Sequence, residues 1–431
     1  MPDRLYARLI SDRGGDPSDL PGDAGDHVAD SALRTVAALT LTKIGDSVVD
    51  AKTVLAWLLG SMGAPAALTG LLVPIRESGA LLPQVAVARV VADHARRTPA
   101  WLVGAIGQAA AVAAMAVIAA TMEGLAGGLA LLAALAVFAV FRAVCSLMIK
   151  DVMGRTIPTG ERGQVTGWST TASGIVAITV GLGIRALGED AGTAVFAALL
   201  AGAAMMWLAS AATFAGIHEP PVEEPGVAGN GIWASLQLLR TDQPFRRFVI
   251  SRTLLLVSAL TPPFIVARAA AASDASINDL GPFLVAAGLA SLIGGRLWGP
   301  LADRSSRRLI AAASGAASVI ALAFLGLSQV TALAETTWWY LGVYLLLALV
   351  HQGARLGRAT YIVDLGDGGG RTDYVAVSNT AIGVLLLAVG AISSAVALFG
   401  TGPAIVLLSV AGLIGVPVSL SMPEVGRGAA A

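Results

Sequence analysis

Apolar runs of membrane-spanning length recur along almost the whole chain of 431 residues. A bilayer core is crossed by a helix of roughly 20 apolar residues, and backbone amides in lipid must be hydrogen-bonded within the segment. Charged residues make up only 13% of the chain, against roughly 25% in soluble domains. We therefore predict an all-α membrane protein of about twelve transmembrane helices, with spans near 35–60, 65–90, 99–121, 125–149, 165–187, 191–216, 247–271, 281–302, 308–330, 337–361, 374–398 and 403–421.

The connections between these runs form two alternating sets that differ in charge. The set that includes the N-terminal segment carries arginines such as Arg155, Arg246 and Arg304, whereas the other set contains no Lys or Arg and carries acids such as Glu123 and Glu189. Basic loops stay on the cytoplasmic side of a membrane. We therefore expect a multi-pass protein of the cell (inner) membrane with both termini in the cytoplasm.

The widest cytoplasmic gap is rich in Pro and Glu and predicts a linker between two halves. The expected organisation is a cytoplasmic tail at 1–34, disordered rather than helical, an N-terminal six-helix bundle at 35–217, the linker at 218–246, a C-terminal six-helix bundle at 247–421 and a tail at 422–431.

A weak internal repeat supports this division. Arg142, Asp151 and Arg162 in the first half match Arg355, Asp364 and Arg371 in the second. Repeats at about half the chain length are typical of transporters whose halves are related by an axis along the membrane normal.

Residues 299–308 read GPLADRSSRR and resemble the loop signature of the major facilitator superfamily, with Ser306 where the family prefers Gly. The first-half copy of this signature is degenerate, since Arg89 replaces the leading Gly. The fifth span also lacks the Pro that drug–proton antiporters carry there. The resemblance covers about residues 35–421 and includes bacterial permeases of unknown substrate. It implies two pseudo-symmetric six-helix bundles that work by alternating access, and it leaves the substrate open.

The resemblance also implies a cytoplasmic gate, in which charged residues at helix ends pair when that side is closed. The alternative is that these arginines only hold the loops inside. The gate residues carried over by the motif are Asp93, Arg96, Asp151, Asp303, Arg304, Arg307 and Asp364.

Ionisable residues inside spans are costly and usually functional. If the first span is one helix, one face carries Lys43, Asp46, Asp50, Thr53 and Trp57, and Lys52 points roughly the opposite way.

Three carboxylates inside the first two spans are proton-coupling candidates: Asp46, Asp50 and Glu77. Asp46 and Asp50 lie one helical turn apart and are expected to share a proton, and Glu77 could meet Arg142. The alternative is that Asp46 or Asp50 neutralises Lys43 or Arg76 and stays ionised.

Four residues are substrate-cavity candidates: Arg76, Arg142, Arg355 and His351. A guanidinium keeps its charge and can bind an anion in a bidentate manner. These arginines predict an organic anion or a zwitterion as substrate.

The sequence lacks the residue patterns that other classes of function require. The chain has one cysteine, Cys145, and four histidines without ligand spacing, so we expect no metal and no cofactor. No phosphate-binding loop, enzyme constellation or basic excess for nucleic acid is present. We predict a symporter or antiporter that moves a small molecule and a proton across the lipid bilayer. The alternatives are an uncoupled facilitator, or a non-transporting receptor or assembly factor on the same fold.

Overall fold

The tertiary structure is a computed structural model. It describes residues 2–10, 18, 20–91, 94–158, 161–185, 193–221, 239–272, 279–329, 336–365 and 371–424. All regular secondary structure within these residues is helical, which confirms the predicted all-α class.

The first half contains the helices α1 (Pro2–Leu9), α2 (Val28–Val48), α3 (Val54–Ser61), α4 (Thr69–Leu81), α5 (Gln84–Val91), α6 (Thr98–Thr121), α7 (Gly124–Thr156), α8 (Arg162–Arg185) and α9 (Thr193–Phe214). The second half contains α10 (Gln243–Leu254), α11 (Val257–Ala272), α12 (Leu280–Arg304), α13 (Ser306–Leu327), α14 (Thr337–Leu365), α15 (Arg371–Val396) and α16 (Thr401–Leu420).

Nine helical segments among the described residues are long and apolar enough to cross a membrane, and the bent helix α12 raises this to ten. The predicted spans missing from that set are the first, which is broken into α2 and α3, and the tenth, α14. Both carry charged residues into the interior of the bundle, as the site below describes.

The first span breaks at residues 49–53 because Asp50 turns its carboxylate back onto the chain. Its Oδ1 accepts hydrogen bonds from the backbone amides of Lys52 at 2.9 Å and Thr53 at 3.0 Å, and from the Thr53 hydroxyl at 2.9 Å. Asp side chains commonly cap a helix start in this way and compete with helix continuation. The prediction of one continuous helix at 35–60 is therefore wrong.

The corresponding span of the second half is also discontinuous. It changes from α10 to α11 across Leu255 and Leu256. Interrupted helices at matching positions of two halves are a feature of transporter binding sites, because the exposed backbone must face protein or water rather than lipid.

The halves meet along close helix contacts that glycines permit. α8 packs against α12, and α4 packs against α15. A Cβ atom on Gly181 would lie 2.6 Å from the carbonyl oxygen of Gly281, and one on Gly390 would lie 2.1 Å from Pro74 Cγ. Small residues at these crossings let the helix backbones approach closely.

Two faces of the bundle are distinguished below. The terminal face carries α1 and the last described residues, and the opposite face carries the turns at 62–66, 122–123 and 397–400. Near the opposite face α3 packs on α11 of the other half, and the Ser394 hydroxyl donates to the Ala67 carbonyl. Arg185 pairs with Asp279 at 3.5 Å across the same side. These contacts hold the two halves together at the opposite face.

The described parts of the N-terminal segment contain helices, contrary to the predicted disordered tail. α1 is followed by a short helical turn, Ala24–His27, and α2 begins at Val28, before the predicted start at 35. The Tyr6 hydroxyl contacts Glu161, and the Trp168 indole donates to the Leu9 carbonyl at 2.7 Å. α1 is therefore docked on the start of α8.

Candidate functional site

Two adjoining cavities lie between the halves. One has a volume of about 360 Å³ and the other about 310 Å³. Both are lined by Asp50, Arg76, Ser291 and Arg355. Volumes of this size suit small-molecule ligands, so we treat the two together as the central cavity.

Cations outnumber carboxylates in the walls of the central cavity. The ionisable lining residues include three acids, Asp46, Asp50 and Glu77, and seven bases: Lys43, Lys52, Arg76, Arg142, Arg252, Arg355 and Arg358. The described walls therefore carry a positive excess when all these groups have their usual charges.

The first half supplies the carboxylates, and Asp46 is held between two arginines. Arg76 Nη2 lies 3.2 Å from Asp46 Oδ1, and Arg142 Nη1 contacts the same oxygen. Asp46 and Arg76 are largely buried, with side chains 15% and 11% exposed. Asp46 thus forms a three-membered ion-pair network across α2, α4 and α7.

Glu77 pairs with its chain neighbour Arg76 at 3.5 Å and is half-exposed. The expectation that Glu77 meets Arg142 is wrong, because Arg142 contacts Asp46 instead. Asp46 and Asp50 also have separate partners, since Asp50 accepts from backbone amides. The proton-coupling role of all three carboxylates stays a prediction.

The break in the first span redirects Lys52. The sequence predicted that Lys52 points away from the polar face, yet it lines the central cavity with Asp50. Its Nζ lies 2.7 Å from His351 Nε2 of α14. Trp57 is fully buried, whereas the Lys43 ammonium lines the cavity and contacts the Thr170 hydroxyl of α8.

The second half supplies arginines that have no acidic partner among the described residues. Arg252 donates to the Ser378 hydroxyl at 3.0 Å, and Arg358 Nε donates to the Ala354 carbonyl at 3.1 Å. The Arg252 Nε atom is buried without a hydrogen-bond partner in the described part. Arg355 lines both cavities. Unsatisfied guanidinium groups of this kind are suited to hold an anion.

Comparison with solved structures identifies the fold. A D-xylose–proton symporter matches with a TM-score of 0.68 at 13% identity over 92% of this chain and 98% of that chain. The peptide transporter POT in complex with sulfate matches with a TM-score of 0.66 at 10% identity over 97% of each chain. The nucleoside transporter NupG matches with 0.64 at 11% over 91% of this chain and 97% of that one. The chain has the fold of the major facilitator superfamily.

All of these neighbours are transporters, and the match over at least nine-tenths of this chain confirms the predicted all-α membrane fold of about twelve helices. No protein-family model matches the sequence, and no curated protein matches it significantly. The identities are low enough that the likeness defines the fold and leaves the substrate to be argued from the cavity itself.

At the terminal face of this major facilitator fold, Asp151 pairs with a different arginine from the one predicted for the first-half gate. Arg97, not Arg96, lies 3.5 Å from Asp151. The Arg97 backbone amide donates to Glu219, which also pairs with Arg155 at 2.7 Å. These residues tie α7 to the end of the first half. Arg96 is exposed, and Asp93 lies outside the described residues.

In the second half, Arg307 pairs with Glu424 at 2.6 Å, a carboxylate that the motif did not indicate. Arg304 is exposed and has no described ion pair. The side chains of Asp303 and Asp364 lie outside the described part of the chain. Every described ion pair at the terminal face joins residues of one half, so the described side chains form no ion pair between the halves there.

Sequence reasoning missed Lys52, Arg252 and Arg358 as cavity residues. Arg252 and Arg358 lie one to two turns from the ends of their spans, where a solvated position is an equally good explanation from sequence alone. The available signal for Lys52 was the Asp50-x-x-Thr53 pattern inside an apolar span, which is typical of a helix start.

Proposed function

We propose that this chain is a secondary active transporter that carries a small organic anion through the central cavity by alternating access. The observation that carries the proposal is the group formed by Arg252, Arg355 and Arg358, which face the cavity without a described carboxylate partner. Arg252 and Arg358 are partly buried and Arg355 is exposed to the cavity, and like charges held close together without compensation repel one another. A substrate carboxylate would supply the missing countercharge and explain why three such groups are retained.

The location of the cavity supports transport rather than static binding. It lies at the interface of the two halves, beside the breaks in the first helix of each half, as expected where halves rock about a central site. Contacts between the halves hold the opposite face together, whereas the described ion pairs at the terminal face stay within one half. This arrangement fits a state open toward the terminal face.

We assign the terminal face to the cytoplasm and the chain to the inner membrane, because the basic connections lie on that side. A cysteine introduced by Glu123→Cys on the opposite face should react with a membrane-impermeant maleimide added to intact cells. Labelling only after cell lysis would contradict the orientation. The one native cysteine, Cys145, is buried, so it contributes little background.

Proton coupling is part of the proposal. One structural neighbour is a D-xylose–proton symporter, and entry of an anion against a negative-inside potential needs a compensating cation. An uncoupled facilitator on the same fold is the second candidate. The two differ in whether an imposed proton gradient drives accumulation above the outside concentration.

Purified protein in liposomes tests both points. D-glucuronate and D-xylose are a suitable pair, because the sugar acid adds a carboxylate to the neutral pentose ring, and gluconate and citrate extend the anion set. With the outside at pH 6 and the lumen at pH 7.5, we expect carboxylate accumulation that a protonophore abolishes, and little uptake of xylose. Carboxylate uptake equal with and without the gradient would favour the facilitator. Carboxylate uptake no higher than in protein-free liposomes, or uptake of xylose alone, would overturn the anion proposal.

A further inference from the structure

His351 connects the two broken helices of the fold. Its Nε2 lies 2.7 Å from Lys52 Nζ in the break of the first span, and its Nδ1 lies 3.2 Å from the hydroxyl of Ser258, which follows the break between α10 and α11. Both breaks are points where helix hydrogen bonds are already missing, so little backbone energy resists a change of angle there. One imidazole ring therefore couples the bending points of both halves.

The bond between Lys52 and His351 also restricts the number of protons that the pair can hold. One nitrogen in an N–H···N hydrogen bond donates and the other accepts, so Lys52 and His351 cannot both be protonated cations while the bond exists. If the Lys52 ammonium donates to Nε2, the ring is neutral and its Nδ1–H donates to Ser258. A further proton on Nε2 would turn both groups into cationic donors that face each other, and the bond would break.

The groups around the pair show which residues can bind Lys52 after its bond to His351 breaks. Asp50 in the same break and Glu77 on α4 are the carboxylates that line the cavity with it. The other ionisable groups facing the ring are Arg76 on α4, Arg252 on α10, and Tyr344, Arg355 and Arg358 on α14. From α12 and α11 the described lining side chains are uncharged, including Ser291 and Ser258. The two carboxylates can thus accept Lys52 after it leaves the ring.

We propose that His351 is the proton-binding residue of the transport cycle, and that its protonation breaks the Lys52–His351 bond and lets the halves separate at the opposite face. On protonation an N–H bond forms at Nε2 as an O–H bond of a hydronium ion breaks, and Lys52 exchanges its hydrogen bond to the ring for one to Asp50 or Glu77. The proton is taken up from water when the opposite face is open, and it is released to water at the terminal face when the Lys52–His351 bond forms again. This rests on the proposed transport function for its purpose, but the proton-dependent motion requires no substrate.

The motion can be measured without knowing the substrate. Spin labels introduced by Glu123→Cys and Phe399→Cys lie on different halves at the opposite face, where both residues are exposed. Pulsed electron–electron double resonance on the full chain in lipid nanodiscs then measures the distance between the two labels, and hence the separation between the halves. As the pH is lowered stepwise from 8, we expect the population with the longer distance to grow. Uptake of a single proton limits this growth to about tenfold in the population ratio per pH unit.

Three variants separate the roles of the residues. His351→Gln can still accept a hydrogen bond but cannot titrate, and it should keep the short distance at every pH. Lys52→Met removes the partner of the ring and should favour the long distance at every pH. The chain has four histidines, so the triple variant His27→Gln, His94→Gln, His218→Gln is the matched control, and it should respond to pH like the parent.

The proposal is overturned if His351→Gln retains the pH response, or if Lys52→Met stays in the short-distance state. If His351→Gln does not fold, Lys52→Met and the triple control still test the proposal. The first should show the long distance at every pH, and the second should respond to pH like the parent. A pH response that depends on His351 together with no uptake of glucuronate, gluconate or citrate would refute the proposed substrate class and leave this inference standing.

Discussion

The two halves share a helical plan but differ in how the charges that line the cavity are compensated. In the first half, Asp46 binds both Arg76 and Arg142, so the cations of α4 and α7 have an internal partner. In the second half, Arg252, Arg355 and Arg358 have no described carboxylate partner. The equivalent arginines of the repeat, Arg142 and Arg355, therefore occupy different electrostatic environments. This difference fits the proposed function, in which the first half is an ion-paired frame and a ligand supplies the countercharge for the second half.

The largest expected effect concerns the frame. Asp46→Asn leaves Arg76 and Arg142 without their shared countercharge, and breaking a buried pair costs about 3–5 kcal/mol. Arg142 is 31% exposed, so water screens part of this loss and we expect roughly 2–3 kcal/mol less stability toward unfolding. Thermal unfolding followed by tryptophan fluorescence measures it. Asp151→Asn, which breaks a more exposed pair with Arg97, is the control and should cost under about 1 kcal/mol.

An Asp46→Asn variant as stable as the parent would contradict the view of the first half as an ion-paired frame. Liposome uptake by the same variant addresses the other role predicted for Asp46. If anion exchange at equal pH survives while gradient-driven accumulation is lost, Asp46 takes part in proton coupling and His351 is not the sole site.

The second half should respond in the opposite way. Arg355→Met removes a charged donor from the cavity without exposing a described carboxylate, so stability should stay equal or rise. Loss of one charge-assisted hydrogen bond to the substrate, worth about 1.5–3 kcal/mol, corresponds to a roughly 10–150-fold loss in kcat/KM for carboxylate uptake. Arg296→Met on α12 is the matched control, because Arg296 is exposed and outside the described lining of the cavity.

A smaller effect is expected at the seam where the halves meet. Gly181→Ala places a methyl group against the backbone of Gly281, where its Cβ would lie only 2.6 Å from the carbonyl oxygen. Overpacking of this kind costs about 1–3 kcal/mol, and it should also alter the distance distribution between Glu123→Cys and Phe399→Cys labels. Gly183→Ala lies on the same helix, with no atom of another described helix within 4 Å of its Cβ, and should behave like the parent. Equal behaviour of the two alanine variants would show that α8 and α12 are not tightly packed in solution.

The smallest effect concerns the first half's contact with its N-terminal segment. His218 Nε2 lies 3.0 Å from Asp23 Oδ1, and this hydrogen bond lowers the pKa of the exposed Asp23 carboxyl from its ordinary value of 3.8. A lowered carboxyl pKa stabilises the fold above the ordinary value, and the contribution disappears as the pH falls through the folded value. Asp23→Asn should therefore slightly lower the melting temperature at pH 5, and the difference from the parent should disappear as the pH falls through the lowered pKa. Asp26→Asn, on the same exposed turn, serves as control, and equal melting curves for all three proteins would show that the contact has no energetic role.

The comparison of the halves also shows which features of the site the sequence pattern can predict. The equivalence of Arg142 and Arg355 was visible in the repeat, and both line the central cavity. Their partners were not visible, because neighbouring helices and their rotation decide which carboxylate lies within reach. The choice of Arg97 over Arg96 beside Asp151 has the same origin, since both arginines lie in the connection before α6 and the path of that connection decides which side chain turns toward α7.

The sequence by itself determined that the chain is a bundle of membrane helices in two halves, because the hydrocarbon core demands apolar runs of a certain length and self-satisfied backbone. It also located the polar residues of the first span. Only the tertiary structure decided that Asp50 would break that span and turn Lys52 toward His351, a residue 299 positions away in the chain. Local hydrophobicity governs entry into the membrane, whereas a contact between distant side chains depends on helix breaks, tilt and rotation, which are set by packing across the whole bundle.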